Sequence, residues 1–107
     1  MPSDPMTAGP VLPAPIDPLV RVQVLTRNGC HLCDEVLPVV RAEADRAGTA
    51  VELVDVDADA ALREAWGDQV PVIVVDGRVH ARYRVEAAAL RKALKPGPRW
   101  RRLLPGG

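Results

Sequence analysis

The hydrophobic and polar positions of this 107-residue chain predict four strands. Short apolar runs rich in β-branched residues predict the first three, at residues 21–26, 50–56 and 70–75. The dipeptide Asp76-Gly77 that follows is typical of a tight hairpin turn. Residues 78–83 are therefore expected to form a fourth strand, antiparallel to the third.

Helical spacing of apolar residues predicts three helices between and after these strands. They are expected at residues 30–47, from residues 57–59 to Trp66, and at residues 86–95. Gly48 and Gly67 follow the first two helices as stops, and Asp57 and Asp59 are capping candidates for the second. The third helix carries basic residues near its end, where they complement the helix dipole.

The order of elements is therefore β-α-β-α-β-β-α. The first two strands need a parallel crossover, and the last two form an antiparallel hairpin. The sequence predicts an α/β fold with a mixed four-stranded sheet and helices on both faces. We expect a flexible proline-rich leader at residues 1–19, one domain at residues 20–95, and a basic tail at residues 96–107 that contains proline and glycine.

Charge and composition narrow the choice of partners. The 14 basic and 14 acidic residues cancel, so no long-range field would attract nucleic acid or an anionic membrane. Residues 1–18 contain no Lys or Arg and are broken by prolines, unlike a secretory signal, and no apolar run reaches the roughly 20 residues that cross a bilayer. We expect a cytoplasmic monomer that binds neither nucleic acid nor a membrane.

Two cysteines, Cys30 and Cys33, stand where a turn leads into the first predicted helix. Unpaired N–H groups at a helix start favour a thiolate, which makes Cys30 the candidate nucleophile. Cys33, one turn further along, is placed to resolve a mixed disulfide on Cys30. Arg27 and a protonated His31 would favour the thiolate, and Asp34 would oppose it. We expect the net effect to be a lowered pKa of the Cys30 thiol.

The same Cys-x-x-Cys pair is also half of a tetrahedral metal site, so a metal or iron–sulfur binding module using Cys30 and Cys33 is the alternative. Its remaining ligands would have to come from His31, His80, an added thiol or a second subunit, because the chain has only two cysteines. In a reducing compartment, a Cys-x-x-Cys beside a β-α-β pattern favours redox chemistry. We expect no resident cofactor.

The motif Cys30–Cys33 opens a helix after a strand and a turn, and Val70 and Pro71 follow at the head of a later strand. In these features residues 21–95 resemble the thioredoxin superfamily and, within it, small glutaredoxin-like proteins. The resemblance implies a thioredoxin-like fold, a cis peptide before Pro71, and a Val70 backbone that pairs with the bound thiol substrate. Arg27, at the end of the first strand, is a further substrate-binding candidate.

The resemblance implies a thiol–disulfide oxidoreductase that reduces protein or small-thiol disulfides. Its electrons would come from a small thiol such as glutathione or mycothiol, or from a reductase. Typical glutaredoxins hold glutathione with a Gly-Gly and a nearby Asp after the proline strand, which residues 76–84 lack, so the resemblance does not extend to glutathione binding. Arg82, Tyr83 and Arg84 could form another anion-binding surface, but we interpret them as a solvated edge strand.

Overall fold

The computed structural model of the protein describes residues 11–95, which follow the expected order of elements. The strands are β1 (Val20–Thr26), β2 (Ala50–Asp55), β3 (Val72–Val75) and β4 (Arg78–Arg82). The helices are α1 (His31–Ala47), α2 (Ala60–Trp66), which follows a short 3-10 turn at Val56–Ala58, and α3 (Ala87–Leu94). Over residues 11–95 no helix is long and apolar enough to cross a membrane. Half of the predicted leader and the whole predicted tail lie outside the described residues.

The four strands form one mixed sheet in the order β2-β1-β3-β4. The expected parallel β1–β2 pair and antiparallel β3–β4 hairpin are confirmed, and β1 also pairs with β3 in antiparallel register. Leu25 of β1 lies beside Val54 and Val72, and Val72 lies beside Arg82. The last residues of β1, β2 and β4 and the first residues of β3 therefore meet at one end of the sheet. We call it the Cys30 end, because β1 leads from it into Cys30.

Two apolar clusters, one on each face of the sheet, hold the helices. Side chains alternate between the faces of a strand, so neighbouring residues of β1 and β3 enter different clusters. The first cluster joins the sheet to α1 and α3, and contains Val22, Val24, Val36, Val40, Ala44, Ile73, Val75, Leu90 and Leu94. The second joins the sheet to α2, and contains Leu25, Val56, Leu62, Trp66, Val72 and Val74. The prediction of helices on both faces is confirmed.

Each strand differs from its prediction at one boundary, and in β1 and β2 the difference is a single residue, with β1 beginning at Val20 and β2 ending at Asp55. The differences in β3 and β4 have local causes. Strand β3 begins at Val72 instead of Val70, because Pro71 has no N–H group to donate to the ladder. Strand β4 ends at Arg82 instead of Tyr83, because Tyr83 has a φ of 67°, in the left-handed region that strands do not use. Both differences fall at the Cys30 end of the sheet.

The predicted helix caps are confirmed except for one. Gly48 ends α1 with a φ of 74°, and the Asp59 carboxylate accepts hydrogen bonds from two backbone N–H groups in the first turn of α2. The assignment of Asp57 as a cap is wrong. Its carboxylate forms an ion pair with Arg27 instead.

The described part of the leader contacts the domain. Trp66 Nε1 donates a hydrogen bond to the Val11 carbonyl, and Gln23 Nε2 donates to the Pro13 carbonyl. Leu12 packs against the second cluster. Trp66 and Gln23 are both buried, and buried polar groups need hydrogen-bond partners. The leader supplies a partner to each of these two side chains. The domain boundary at residue 20 stays a prediction.

A buried carboxylate links α1 to α3. Glu43 is 4% exposed, and its two oxygens each accept a hydrogen bond of 2.9 Å from the Arg91 guanidinium. Arg46 also lies near this carboxylate, at 3.5 Å. Hydrogen bonding to Arg91 is the main reason why the pKa of Glu43 is lowered.

Glu43→Gln is expected to lower the urea denaturation midpoint at neutral pH, because it removes the charge that Arg91 pairs with. The pKa of Glu43 is lower in the folded than in the unfolded protein. The stability that the ionised carboxylate adds is therefore fully present above about pH 4.3, the ordinary pKa of glutamate, and is lost as the pH falls through the folded pKa. Wild type and variant should therefore converge in acid, as urea midpoints measured along a pH series would show. Glu64→Gln, on the exposed surface of α2, is the matched control. A difference between the urea midpoints of wild type and variant that persists in acid would contradict the assigned role of the Glu43 charge.

Candidate active site

Cys30 is the N-terminal cap of α1. The turn after β1 contains Gly29 with a φ of 79°, and the Cys30 N–H donates to the Arg27 carbonyl at 3.3 Å. This turn places the Cys30 Sγ at the start of the helix, where it accepts a hydrogen bond of 3.1 Å from the Cys33 N–H. A backbone donor at this distance stabilises negative charge on the sulfur.

Cys30 and Cys33 form a disulfide in the structure, and their Cα atoms are 5.3 Å apart. The two residues differ in accessibility, because Cys30 is half-buried and Cys33 is only 4% exposed. A partner molecule can therefore reach Cys30 more easily than Cys33. The nucleophilic role of Cys30 and the resolving role of Cys33 stay predictions.

Arg27 is held by acidic and backbone partners near the Cys30 end of the sheet. Its Nε and Nη2 atoms donate to the two Asp57 carboxylate oxygens at 3.1 and 2.8 Å, and its Nη1 donates to the Gly67 carbonyl at 3.0 Å. Hydrogen bonding to Asp57 raises the pKa of Arg27. The expected help of Arg27 to a Cys30 thiolate is thus offset by the paired carboxylate. Its role in substrate binding stays a prediction.

The segment from Gly67 to Pro71, which we call the proline loop, connects α2 to β3. The Val70–Pro71 peptide is cis, as the resemblance implies. Because Val72 pairs with Leu25, the loop lies at the Cys30 end of the sheet. The structure thus brings the proline loop, the cysteine pair and Arg27 to the same end. The substrate-pairing roles of Val70 and Pro71 stay predictions.

Tyr83 is a neighbour of the site that the sequence interpretation missed. It lies beyond β4 and is therefore not part of a solvated edge strand, whereas Arg82 does end that strand. The Tyr83 N–H donates to the Pro71 carbonyl at 2.8 Å, and its hydroxyl donates to the Asp68 carbonyl at 3.2 Å. These partners lie more than ten residues away along the chain, so no local sequence signal reveals them.

A groove of about 260 Å³ lies between α1 and the segment that follows β4. Leu32, which lies between the two cysteines and is 40% exposed, lines one wall of the groove, and Tyr83 and Arg84 line the other. Val36, Val39 and Val85 add apolar surface, whereas Glu35 and Glu86 add acidic groups. The groove therefore combines apolar and acidic surface along the start of α1, the helix that Cys30 caps.

The fit of a metal ion to the cysteine pair depends on the remaining ligands. Among residues 11–95, no group of three or more His, Cys, Asp or Glu side chains is placed to hold a metal ion. A metal or iron–sulfur module built on Cys30 and Cys33 would therefore need further ligands from another molecule or from outside these residues.

Comparison with known proteins gives a family match over residues 21–95, to the family described as Glutaredoxin-like domain (DUF836). This match covers the residues on which the sequence resemblance rests. The protein Rv0508 of Mycobacterium tuberculosis, described as uncharacterized, is 34% identical over 76 residues, which cover 66% of this chain and 78% of that protein. Together with the Cys30–Cys33 pair, the family match suggests a thiol–disulfide redox function.

Solved structures show the same architecture. The X-ray structure of XcR50 from X. campestris is 35% identical, with a TM-score of 0.57 over 68% of this chain and 93% of that chain. Ne2328 from Nitrosomonas europaea is 23% identical, with a TM-score of 0.61 over 78% of this chain and 100% of that chain, and shows the fold alone. A mutant thioredoxin from Halobacterium salinarum is 28% identical, with a TM-score of 0.50 over 68% of this chain and 69% of that chain. The chain belongs to the glutaredoxin-like domain family and has a thioredoxin-like fold.

Proposed function

We propose that this protein is a thiol–disulfide oxidoreductase in which Cys30 attacks a substrate disulfide and Cys33 resolves the product. One observation carries the proposal: the Cys30 Sγ caps α1 and accepts a hydrogen bond from the Cys33 N–H at 3.1 Å. The different burial of the two cysteines supports the division of roles, because the attacking sulfur must meet the substrate and the resolving sulfur need not.

The proposed reaction has two exchange steps. In the first, the Cys30 thiolate attacks one sulfur of the substrate disulfide, and the other substrate sulfur leaves as a thiolate. In the second, the Cys33 thiolate attacks the Cys30 sulfur of this mixed disulfide, and the remaining substrate thiolate leaves. Two electrons pass from the cysteine pair to the substrate, and the Cys30–Cys33 disulfide seen in the structure is the oxidised product.

The proposed substrate is a disulfide in a protein or in a low-molecular-weight thiol. A small thiol such as glutathione or mycothiol, or a reductase, would return two electrons to the Cys30–Cys33 disulfide. The proposed place of action is the cytoplasm, where the reducing environment keeps such dithiols reduced and available to substrates.

Cys33→Ser is expected to trap the mixed disulfide on Cys30, because it removes the thiol that completes the exchange. The probe is a peptide with one cysteine, joined through a mixed disulfide to thionitrobenzoate, which is coloured when released. The reduced variant should release one equivalent of thionitrobenzoate and carry one peptide on Cys30, as mass spectrometry would show. Wild type should end as the Cys30–Cys33 disulfide with no peptide attached.

The matched control is the double variant with serine at both Cys30 and Cys33, which should release no thionitrobenzoate. Absence of any adduct on the single variant, together with no internal disulfide in wild type after reaction, would contradict the proposed function. An adduct on wild type that persists would contradict the resolving role of Cys33.

A further inference from the structure

Three hydrogen bonds fasten the proline loop through its backbone carbonyls. The Arg27 guanidinium holds the Gly67 carbonyl at the start of the loop. At its other side, the Tyr83 hydroxyl donates to the Asp68 carbonyl at 3.2 Å and the Tyr83 N–H donates to the Pro71 carbonyl at 2.8 Å. One residue, Tyr83, thus contacts the loop on both sides of Val70.

The start of the proline loop fits Arg27 closely. A Cβ atom added to Gly67 would come within 2.6 Å of the Arg63 carbonyl oxygen and 3.2 Å of the Arg27 Nη1. The Arg63 carbonyl therefore requires glycine at this position, and the absence of a side chain also leaves room for the Arg27 guanidinium. The Gln69 N–H donates to the Trp66 carbonyl at 2.8 Å, so α2 holds the first half of the loop, and Tyr83 holds the Asp68 and Pro71 carbonyls on either side of Val70.

The backbone of Tyr83 is unfavourable for a tyrosine. Its φ of 67° lies in the left-handed region, which glycine and asparagine adopt readily and in which large side chains are strained. Burial of the ring does not compensate fully, because Tyr83 remains 44% exposed. Strained residues that persist near functional sites are held by specific contacts, and here these are the two hydrogen bonds to the proline loop.

We infer that Tyr83 is a positioning residue, which fixes the backbone around Val70 so that an extended substrate segment can pair with it beside Cys30. The inference rests on the proposed function and adds to it a determinant of affinity for peptide disulfides. Tyr83 acts through the loop, and its ring also forms part of the groove wall opposite Leu32. It takes no part in the sulfur chemistry.

Tyr83→Phe tests this inference, because it removes only the hydroxyl that reaches Asp68. The peptide mixed disulfide with thionitrobenzoate is the probe, and its concentration is varied in single-turnover reactions with the reduced protein. The concentration for half-maximal rate should rise, by up to about fivefold if the whole free energy of one neutral hydrogen bond is transmitted to the pairing of the loop with the peptide. The maximal rate should stay unchanged, as should the rate at which iodoacetamide alkylates Cys30, which needs no backbone pairing.

Tyr83→Asn distinguishes an effect on the position of the proline loop from an effect on the folding stability of the protein. Asparagine suits a φ of 67° and keeps the N–H that donates to Pro71, but it cannot reach Asp68. The half-maximal concentration should rise at least as much as in the Phe variant, while the urea midpoint stays unchanged or increases.

Unchanged half-maximal concentrations in both variants would overturn the inference, as would an equal fall in the peptide and iodoacetamide rates, which would place the effect on Cys30 itself. These outcomes differ from failure of the proposed function. In that case the wild-type protein would release no thionitrobenzoate at any peptide concentration.

Discussion

Replacing Cys30 with serine is expected to lower the rate of thionitrobenzoate release by about three orders of magnitude or more, since loss of a covalent nucleophile commonly costs at least that much. A serine hydroxyl stays protonated at neutral pH, so the hydrogen bond from the Cys33 N–H has no thiolate to stabilise. Cys33 remains in the variant, but its 4% exposure restricts attack on a peptide disulfide. The release of thionitrobenzoate by reduced wild type and variant, at equal concentrations, measures the effect.

Cys33→Ser is the matched control for this prediction, because it changes the same atom at the neighbouring cysteine. It should release the first equivalent of thionitrobenzoate at a rate within a few fold of wild type, since the first step uses only Cys30. If the Cys30 variant reacted at the wild-type rate while the Cys33 variant did not, the two roles would be exchanged. Equal activity in both would mean that either cysteine can attack the probe, and would contradict the division of roles.

The pairing of Arg27 with Asp57 changes which group is expected to stabilise a Cys30 thiolate. From the sequence, Arg27 and the helix start both favour a charged Cys30 sulfur. In the structure the Arg27 charge is neutralised by Asp57, with two hydrogen bonds of 3.1 and 2.8 Å. The backbone N–H of Cys33 is the donor that contacts the sulfur directly. In the proposed reaction, the start of α1 and not a basic side chain is therefore the main source of stabilisation for a Cys30 thiolate.

The architecture could be predicted because it follows from local patterns. Hydrophobic runs, the Asp76-Gly77 turn and the glycine at residue 48 gave the elements and their order, and a parallel pair plus a hairpin followed from connection lengths. The pairing of β1 with β3 was not specified, because register between distant strands depends on packing across the whole sheet. The later start of β3 follows from the missing N–H of Pro71, whereas the end of β4 accompanies the positive φ of Tyr83 and its hydrogen bond to the distant Pro71 carbonyl.

The candidate site was predictable only in part. A short motif reveals Cys30 and Cys33, and the resemblance adds the cis peptide at Pro71, which the structure contains. The partner of Arg27 could not be read from the sequence, because Asp57 lies 30 residues away and fits the local pattern of a helix cap. The sequence placed Tyr83 in a solvated edge strand for the same reason, since both of its contacts with the proline loop are distant in sequence.

Trp66→Ala is expected to lower the free energy of unfolding by about 3–5 kcal/mol, the usual cost of removing a buried aromatic side chain. Trp66 is 4% exposed and belongs to the second cluster with Leu25 and Val72. The Arg82 guanidinium lies 5.6 Å from the centre of its ring, and its Nε1 donates to the Val11 carbonyl. One side chain therefore joins α2, the sheet, the end of β4 and the described part of the leader.

Urea denaturation followed by far-ultraviolet circular dichroism measures this loss, because the substitution removes one of the chain's two tryptophans and so changes the fluorescence signal itself. Domains of this size have a total stability of about 5–15 kcal/mol, so the alanine variant should lose a large part of it. Trp66→Phe keeps a ring but loses the hydrogen bond to Val11, and should cost only about 1–2 kcal/mol. Equal losses in both variants would mean that the hydrogen bond to the leader, and not the buried ring, holds this face of the sheet together. If the ring is what matters, the Phe variant should retain the wild-type rate of thionitrobenzoate release, because the proline loop that follows α2 keeps its own fastening through Arg27 and Tyr83.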